Sequence, residues 1–142
     1  MRGRTAVSRA AGGRFLDVEK LSEQTLAAIG RMTVAAVELE RVLAWVGADQ
    51  AGGDVEAVFA QPGEPLRAAR GSVLFAAPER REHYVRLVEV AATQLAISQA
   101  ALRAMWRGGR TDPTLFDETT TLLLGCRDAL QALVSADFSD AR

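Results

Sequence analysis

Three arginines and a tryptophan lie close together in the chain, at Arg103, Trp106, Arg107 and Arg110. A helix would place Arg103, Trp106 and Arg107 on one face, because residues three and four apart are neighbours there. Guanidinium groups around an indole can bind an acidic helix, a phosphate or single-stranded RNA by charge and stacking. A structural role is the alternative, with arginines stabilising a helix C-terminus and Trp106 closing the core. We take these four residues as the candidate binding site.

Other side chains with reactive chemistry are few. The only histidine is His83, and a lone histidine followed by Tyr84 is more often a surface or half-buried packing residue than a base or metal ligand. The only cysteine, Cys126, is expected to be a small core residue. Zinc and di-iron sites need several ligands at set spacing, and Glu79 to His83 does not fit Glu-x-x-His. We predict no catalytic residue, no metal site and no cofactor.

The segment from Gly47 to Asp54, GADQAGGD, is glycine-rich but is not typical of a phosphate-binding loop. It lacks the Gly-Lys-Ser/Thr sequence, and no strand precedes it. It also lacks the ligand pattern of a calcium-binding EF-hand loop. We predict a simple connection between helices, with Gly47 ending the helix before it.

The candidate site lies near the end of a long predicted helix from Pro78 to Gly109. Pro78 suits the first helical position, and Gly108 can adopt the left-handed conformation that ends a helix. Arg103 and Arg107 favour the last turns through the helix dipole. The predicted apolar stripe consists of Tyr84, Leu87, Val88, Ala91, Leu95, Ser98, Leu102 and Met105.

Two further long helices are predicted, the first from about Val18 to Val46 with Ser22 or Asp17 as cap. Gly30 lies in its middle, and close approach of another helix is the expected compensation for its cost of about 1 kcal/mol. The first helix has two apolar rows: Ile29, Met32, Ala36, Leu39, Leu43 and Val46, beside Leu21, Ala28, Ala35 and Val42.

The last helix is predicted to begin at Asp112-Pro113 and to fade after Ser135. Short helical pieces are expected after Asp54 and at Glu64-Pro65. The apolar run 72–77 is either a buried helical turn or a strand, and a helix or an apolar linker is favoured because no partner strand is predicted. These elements predict an all-α fold, a bundle of about four to five helices, three of them long. The inner face predicted for the last helix is Leu115, Phe116, Leu122, Leu123, Cys126, Leu130, Leu133 and Val134.

Composition favours a single globular domain of a cytoplasmic protein. The chain has 142 residues, 49% of them hydrophobic, and a net charge of −1, which argues against coating nucleic acid through bulk charge. We expect a flexible basic arm at 1–14, a bundle at 15–136 and a flexible tail at 137–142. The arm holds four arginines and is either an electrostatic tether or a solvated tail. No membrane span or secretory signal is predicted. The use of arginine in place of lysine, together with abundant alanine, is typical of a GC-rich bacterial genome.

Three segments have a recognisable layout: IGRMTVAAVELERVLAWV in the first helix, GEPLRAAR in the middle, and AISQAALRAMW, which ends at Trp106. On these segments the chain resembles small helical bacterial proteins related to the HEPN superfamily. This resemblance implies a helical bundle that often dimerises and, in active members, an RNase whose long helix carries Arg, a polar residue and then His. Ser98 and Gln99 stand where Arg and the polar residue would be, and Arg103 stands in place of His. The resemblance therefore implies a fold and partners, and no RNase activity.

We accordingly predict a non-enzymatic helical interaction or regulatory module, homodimeric, that binds a protein partner. One alternative is a nucleic-acid-binding protein or inactive HEPN-like RNase remnant that uses the basic arm, Arg103, Arg107 and Arg110. Another is a bundle that binds a small molecule in a pocket near Trp45, Tyr84 and Trp106.

Overall fold

The computed structural model describes residues 17–140, apart from the side chains of 50, 51 and 136–140, so the predicted arm at 1–14 lies outside the described residues. The described part is helical and contains no strand, which confirms the all-α prediction. Three 3-10 turns accompany the helices, at Val18–Lys20, Ser72–Phe75 and Pro78–Arg80. The five α-helices are α1 (Glu23–Ala51), α2 (Val55–Phe59), α3 (Glu64–Gly71), α4 (Arg81–Trp106) and α5 (Pro113–Asp140).

The three long helices form the bundle, with α1 and α5 parallel to each other. Arg31 near the start of α1 pairs with Asp117, and Glu38 further along pairs with Arg127, so both sequences ascend in the same direction. The short connection after Trp106 reverses α4 against α5. The start of α4 consequently lies near the second half of α1, and its end lies near the start of α1.

One core joins these helices and includes residues from α3. Its members come from the faces that the 3.6-residue period of each helix predicts. The largest fully buried side chains of the core are Met32, Leu39, Leu43, Val46, Val88, Phe116, Leu123 and Leu130.

The prediction that Gly47 ends α1 is wrong, and no described helix of the same chain makes the close approach predicted at Gly30. Gly47 does not end the helix: it lies inside α1, and a Cβ there would be 2.5 Å from the carbonyl carbon of Ala68 in α3. The helix ends instead at Gly52, whose φ of 71° is left-handed. Gly30 is exposed and a Cβ there would meet nothing within 4 Å, so close packing of α3 occurs at Gly47 and not at Gly30.

Other element boundaries shift by a few residues. Helix α1 begins at Glu23 with Ser22 as its cap, and the Ser22 hydroxyl accepts the Thr25 N–H at 3.0 Å. Helix α5 continues past Ser135 to Asp140, so 137–140 of the predicted tail are helical and 141–142 lie outside the described residues.

The run 72–77 contains a 3-10 turn and no strand, as favoured, but two of its apolar side chains face solvent and the turn is not buried as a whole. Leu74 and Phe75 expose 72% and 61% of their surface. Leu122 is also exposed, contrary to its predicted place on the inner face of α5. Among the described helices, none combines the length and the apolar character that crossing a membrane requires.

Candidate functional site

A glycine cap ends α4 and sets the geometry of the candidate site. Gly108 has a φ of 81°, as predicted, and its N–H donates to Met105 O at 3.1 Å. The next N–H, that of Gly109, donates to Ala104 O at 2.8 Å, which completes a Schellman motif. A Cβ at Gly109 would lie 2.6 Å from that same oxygen. The chain therefore turns sharply and leaves the last turn of α4 uncovered.

Arg103, Trp106 and Arg107 form an exposed surface on this last turn, which we call the α4 tip. Trp106 exposes 51% of its surface, so it does not close the core. Both arginines are exposed, and neither makes an ion pair or side-chain hydrogen bond with any described residue. Two like charges one turn apart repel each other weakly, and an anion placed between them would relieve that repulsion.

Arg110, the fourth residue of the predicted binding site, differs from the arginines of the α4 tip because it is paired with Asp112. Its Nε donates to Asp112 Oδ2 at 3.1 Å, and this hydrogen bond lowers the pKa of the Asp112 carboxyl. The other oxygen of Asp112 accepts the Leu115 N–H at 3.3 Å and caps α5. Arg110 thus belongs to the connection between α4 and α5. The sequence analysis did not predict this pair, although Arg110 and Asp112 are separated by a single residue.

Thr25 anchors this connection to α1. Its buried hydroxyl donates to Thr111 O at 2.6 Å, while Ser22 Oγ donates to Thr25 Oγ1 at 2.9 Å. Thr25 is far from Thr111 in the chain, and a lone threonine near a helix start has no pattern that reveals a distant partner. The α4 tip is consequently held by α1 as well as by its own cap.

The side chains with reactive chemistry lie apart from one another. His83 is exposed near the start of α4, and the 20 residues from it to Arg103 correspond to about 30 Å of helix. Ser98 is buried and its hydroxyl donates to Leu95 O at 2.7 Å, so it packs in the core. Burial raises the pKa of the Cys126 thiol, which agrees with its predicted place in the core. No group of three His, Cys, Asp or Glu residues within 17–140 is arranged to hold a metal ion.

The three aromatic residues near which a small-molecule pocket is expected do not lie together. Tyr84 is buried against α3, where its hydroxyl donates to Ala69 O at 2.9 Å, and it lies about 33 Å along α4 from Trp106. Trp45 instead lines a groove between α1 and α5, of about 310 Å³, beside Arg127. A second groove of about 460 Å³ between the same two helices begins on the other side of the Glu38–Arg127 ion pair.

No protein-family model, curated protein or solved structure matches this chain. The resemblance to HEPN proteins stays a prediction that rests on the three quoted segments.

Proposed function

We propose that this protein is a non-enzymatic interaction module that binds an acidic segment of a partner protein at the α4 tip. The observation that carries the proposal is the pair of exposed guanidinium groups of Arg103 and Arg107, with which no residue in 17–140 pairs, beside the half-exposed indole of Trp106. Arginine and tryptophan are the residues most often found at energetic centres of protein interfaces. A reducing cytoplasm is the proposed location, since it suits the single thiol of Cys126.

A protein partner is favoured over nucleic acid on grounds of charge and stacking. The full chain has a net charge of −1, and its acidic residues lie in the bundle while four arginines lie in the first 14 residues. Non-specific nucleic-acid binding requires many phosphate contacts, and single-strand binding generally uses several aromatic rings. The α4 tip offers two arginines and one indole, which is fewer charges and rings than either mode of binding uses.

Affinity purification from the native organism tests this proposal when the nucleic acid is retained and analysed together with the proteins. The double variant Arg103→Glu/Arg107→Glu should bind the partner with an affinity lower by roughly tenfold or more, because the reversed charges repel an acidic segment. Arg67→Glu/Arg86→Glu is the matched control, since both of these arginines are also exposed on helices. Equal recovery of every partner by the tip variant and the control would overturn the proposal.

Nucleic-acid binding is the second candidate, and the arginines at Arg2, Arg4, Arg9 and Arg14 favour it. It predicts binding of single-stranded RNA that weakens steeply as salt rises and is lost when residues 1–14 are deleted. Fluorescence anisotropy with a labelled RNA measures both effects. RNA binding that requires both the deleted segment and the α4 tip would favour this candidate over a protein partner.

A further inference from the structure

The outer face of α1 is an exposed stripe that no other described element covers. Val34 exposes 59% of its surface and Val37 exposes 46%. A Cβ at Gly30, between them and the helix start, would meet no atom within 4 Å. The stripe contains six exposed residues: Glu23, Ala27, Gly30, Val34, Val37 and Arg41.

The spacing of this stripe is the same in both directions. Successive members are four, three, four, three and four residues apart, which keeps them on one side of the helix over about 27 Å. A stripe with this symmetry can pack against an antiparallel copy of itself with every member opposite another member. Such self-complementarity is what an interface with twofold symmetry requires.

The residues that would meet in this antiparallel arrangement differ in size in a complementary way. Gly30 would face the partner's Val34, and Ala27 would face the partner's Val37. Each valine therefore enters the space left by a small residue, in the manner of knobs packing into holes. Because the interface is symmetric, each of these contacts occurs twice.

The two ends of the stripe carry opposite charges. Glu23 would face the partner's Arg41, and Glu23 makes no ion pair with any described residue. Arg41 bonds to Glu56 through its two terminal nitrogens and lies 5.2 Å from the centre of the Phe59 ring. Its Nε–H remains able to donate to the partner's carboxylate.

A parallel arrangement does not fit the same stripe. It would place Glu23 against the partner's Glu23 and Arg41 against the partner's Arg41, and like charges directly opposite each other are unfavourable. It would also place Val34 against the partner's Val34 while leaving two Gly30 residues facing each other across a gap. Charge and volume thus select the same orientation.

The groove beside the stripe extends the surface that a second copy would cover. Gly30 and Val34 line the 460 Å³ groove between α1 and α5 together with the apolar Ala35 and Leu124, and Arg31, Glu38, Thr120 and Arg127 form its polar lining. A helix lying along the stripe would cover this groove and exclude water from its apolar side chains. Burial of this apolar surface supplies the driving force for association.

We propose that two copies of this chain associate through the outer face of α1, with the two α1 helices antiparallel. Gly30 then receives the partner's Val34, and Glu23 pairs with the partner's Arg41. This inference does not rest on binding at the α4 tip, because the two surfaces share no residue.

Light scattering coupled to size-exclusion chromatography tests the dimer. The full chain at micromolar concentration should have twice the 15.2 kDa mass of one chain. Val34→Glu should raise the dissociation constant of the dimer roughly tenfold or more, because it places a carboxylate in an apolar contact. Val90→Glu, at a valine 44% exposed on α4, is the matched control and should remain dimeric. A monomeric wild type, or a dimer that Val34→Glu leaves intact, would overturn the proposal.

A charge exchange tests the orientation of the two helices. Glu23→Arg alone should weaken the dimer, since it places arginine opposite the partner's Arg41. The double variant Glu23→Arg/Arg41→Glu should restore association, because opposite charges meet again. Circular dichroism of both variants establishes that they remain folded, and a folded double variant that associates no better than the single one would contradict the pairing.

Cross-linking tests the register directly. Oxidation of the Ala27→Cys/Val37→Cys variant should give a covalent dimer, while Ala27→Cys alone should not. The native Cys126 is buried in the core, so the unsubstituted chain is the control for background oxidation. Efficient cross-linking of the single variant would indicate a parallel dimer and would refute the inference.

Discussion

Gly47 allows α3 to pack directly on α1. A Cβ at this position would lie 2.5 Å from a backbone carbon of Ala68 and 2.7 Å from the backbone nitrogen of Ala69. Backbone atoms of a packed helix cannot move aside as the end of a flexible side chain can. The close approach of the two helices therefore depends on the missing side chain.

We predict that Gly47→Ala lowers the free energy of unfolding by about 1–3 kcal/mol, because the added methyl overpacks this contact. Gly125→Ala is the control, since a Cβ at that position in α5 meets nothing within 4 Å. There the higher helix propensity of alanine should raise stability by up to about 1 kcal/mol. Urea denaturation measures both, and equal effects of the two substitutions would contradict the contact.

Tyr84 is the single tyrosine and lies in a buried hydrogen-bonded group. Its hydroxyl is 2.5 Å from Ser72 Oγ and 2.9 Å from Ala69 O, and Ser72 Oγ also donates to that carbonyl at 2.9 Å. Burial raises the pKa of Tyr84 above its ordinary value of 10.0, against the smaller opposing effect of its hydrogen bond with Ser72. The group connects α4, α3 and the 3-10 turn after α3.

We predict that the absorbance of tyrosinate, which reports on this residue alone, rises at a higher pH in the folded protein than in urea. Because the folded state keeps the proton to higher pH, the free energy of unfolding falls once the pH exceeds about 10. Tyr84→Phe should remove that part of the pH dependence and cost about 1 kcal/mol at neutral pH. Identical titration curves of the folded and the unfolded protein would show that the Tyr84 hydroxyl is not buried.

At the scale of a helix, α5 shows how one step along the chain changes a residue's environment. Leu122 and Leu123 are adjacent, and the period of 3.6 residues turns them about 100° apart. Leu123 is fully buried, whereas Leu122 exposes 53% of its surface. The apolar pattern of α5 includes both, and only the packing of α1 and α4 distinguishes them.

We predict that Leu123→Ala lowers the free energy of unfolding by about 2–5 kcal/mol, because it leaves a cavity in the core. Leu122→Ala should change it by less than about 0.5 kcal/mol, as is usual at exposed positions. Thermal or urea denaturation of the two variants compares them directly. Similar losses from both would show that the register of α5 is different.

At the scale of the whole molecule, stability and association are coupled if α1 helices meet as proposed. A ligand or partner that binds only the folded state raises the melting temperature with its concentration. We therefore predict that the melting temperature of the wild type rises with protein concentration and that of Val34→Glu does not. Scanning calorimetry over a range of protein concentrations measures this, and a constant wild-type value would argue against the dimer.

The fold class and most of the core could be predicted from the sequence. The 3.6-residue period marks the buried faces of α1, α4 and α5, and the caps at Ser22, Asp54 and Gly108 follow from local backbone chemistry. The exposed arginines of the α4 tip also follow from their positions at the end of a helix. Each of these features depends on residues within about two turns of one another, so local pattern is sufficient.

Tertiary structure alone decided the features that join distant parts of the chain. A glycine inside a helix has the same local signature whether α3 lies over it, as at Gly47, or no described helix of the chain does, as at Gly30. The bond of Thr25 to Thr111 and the exposure of Trp106 likewise depend on which helix ends meet. The sequence by itself determined which faces are apolar, and packing determined which of those faces are covered, because covering a face requires residues far away in the chain.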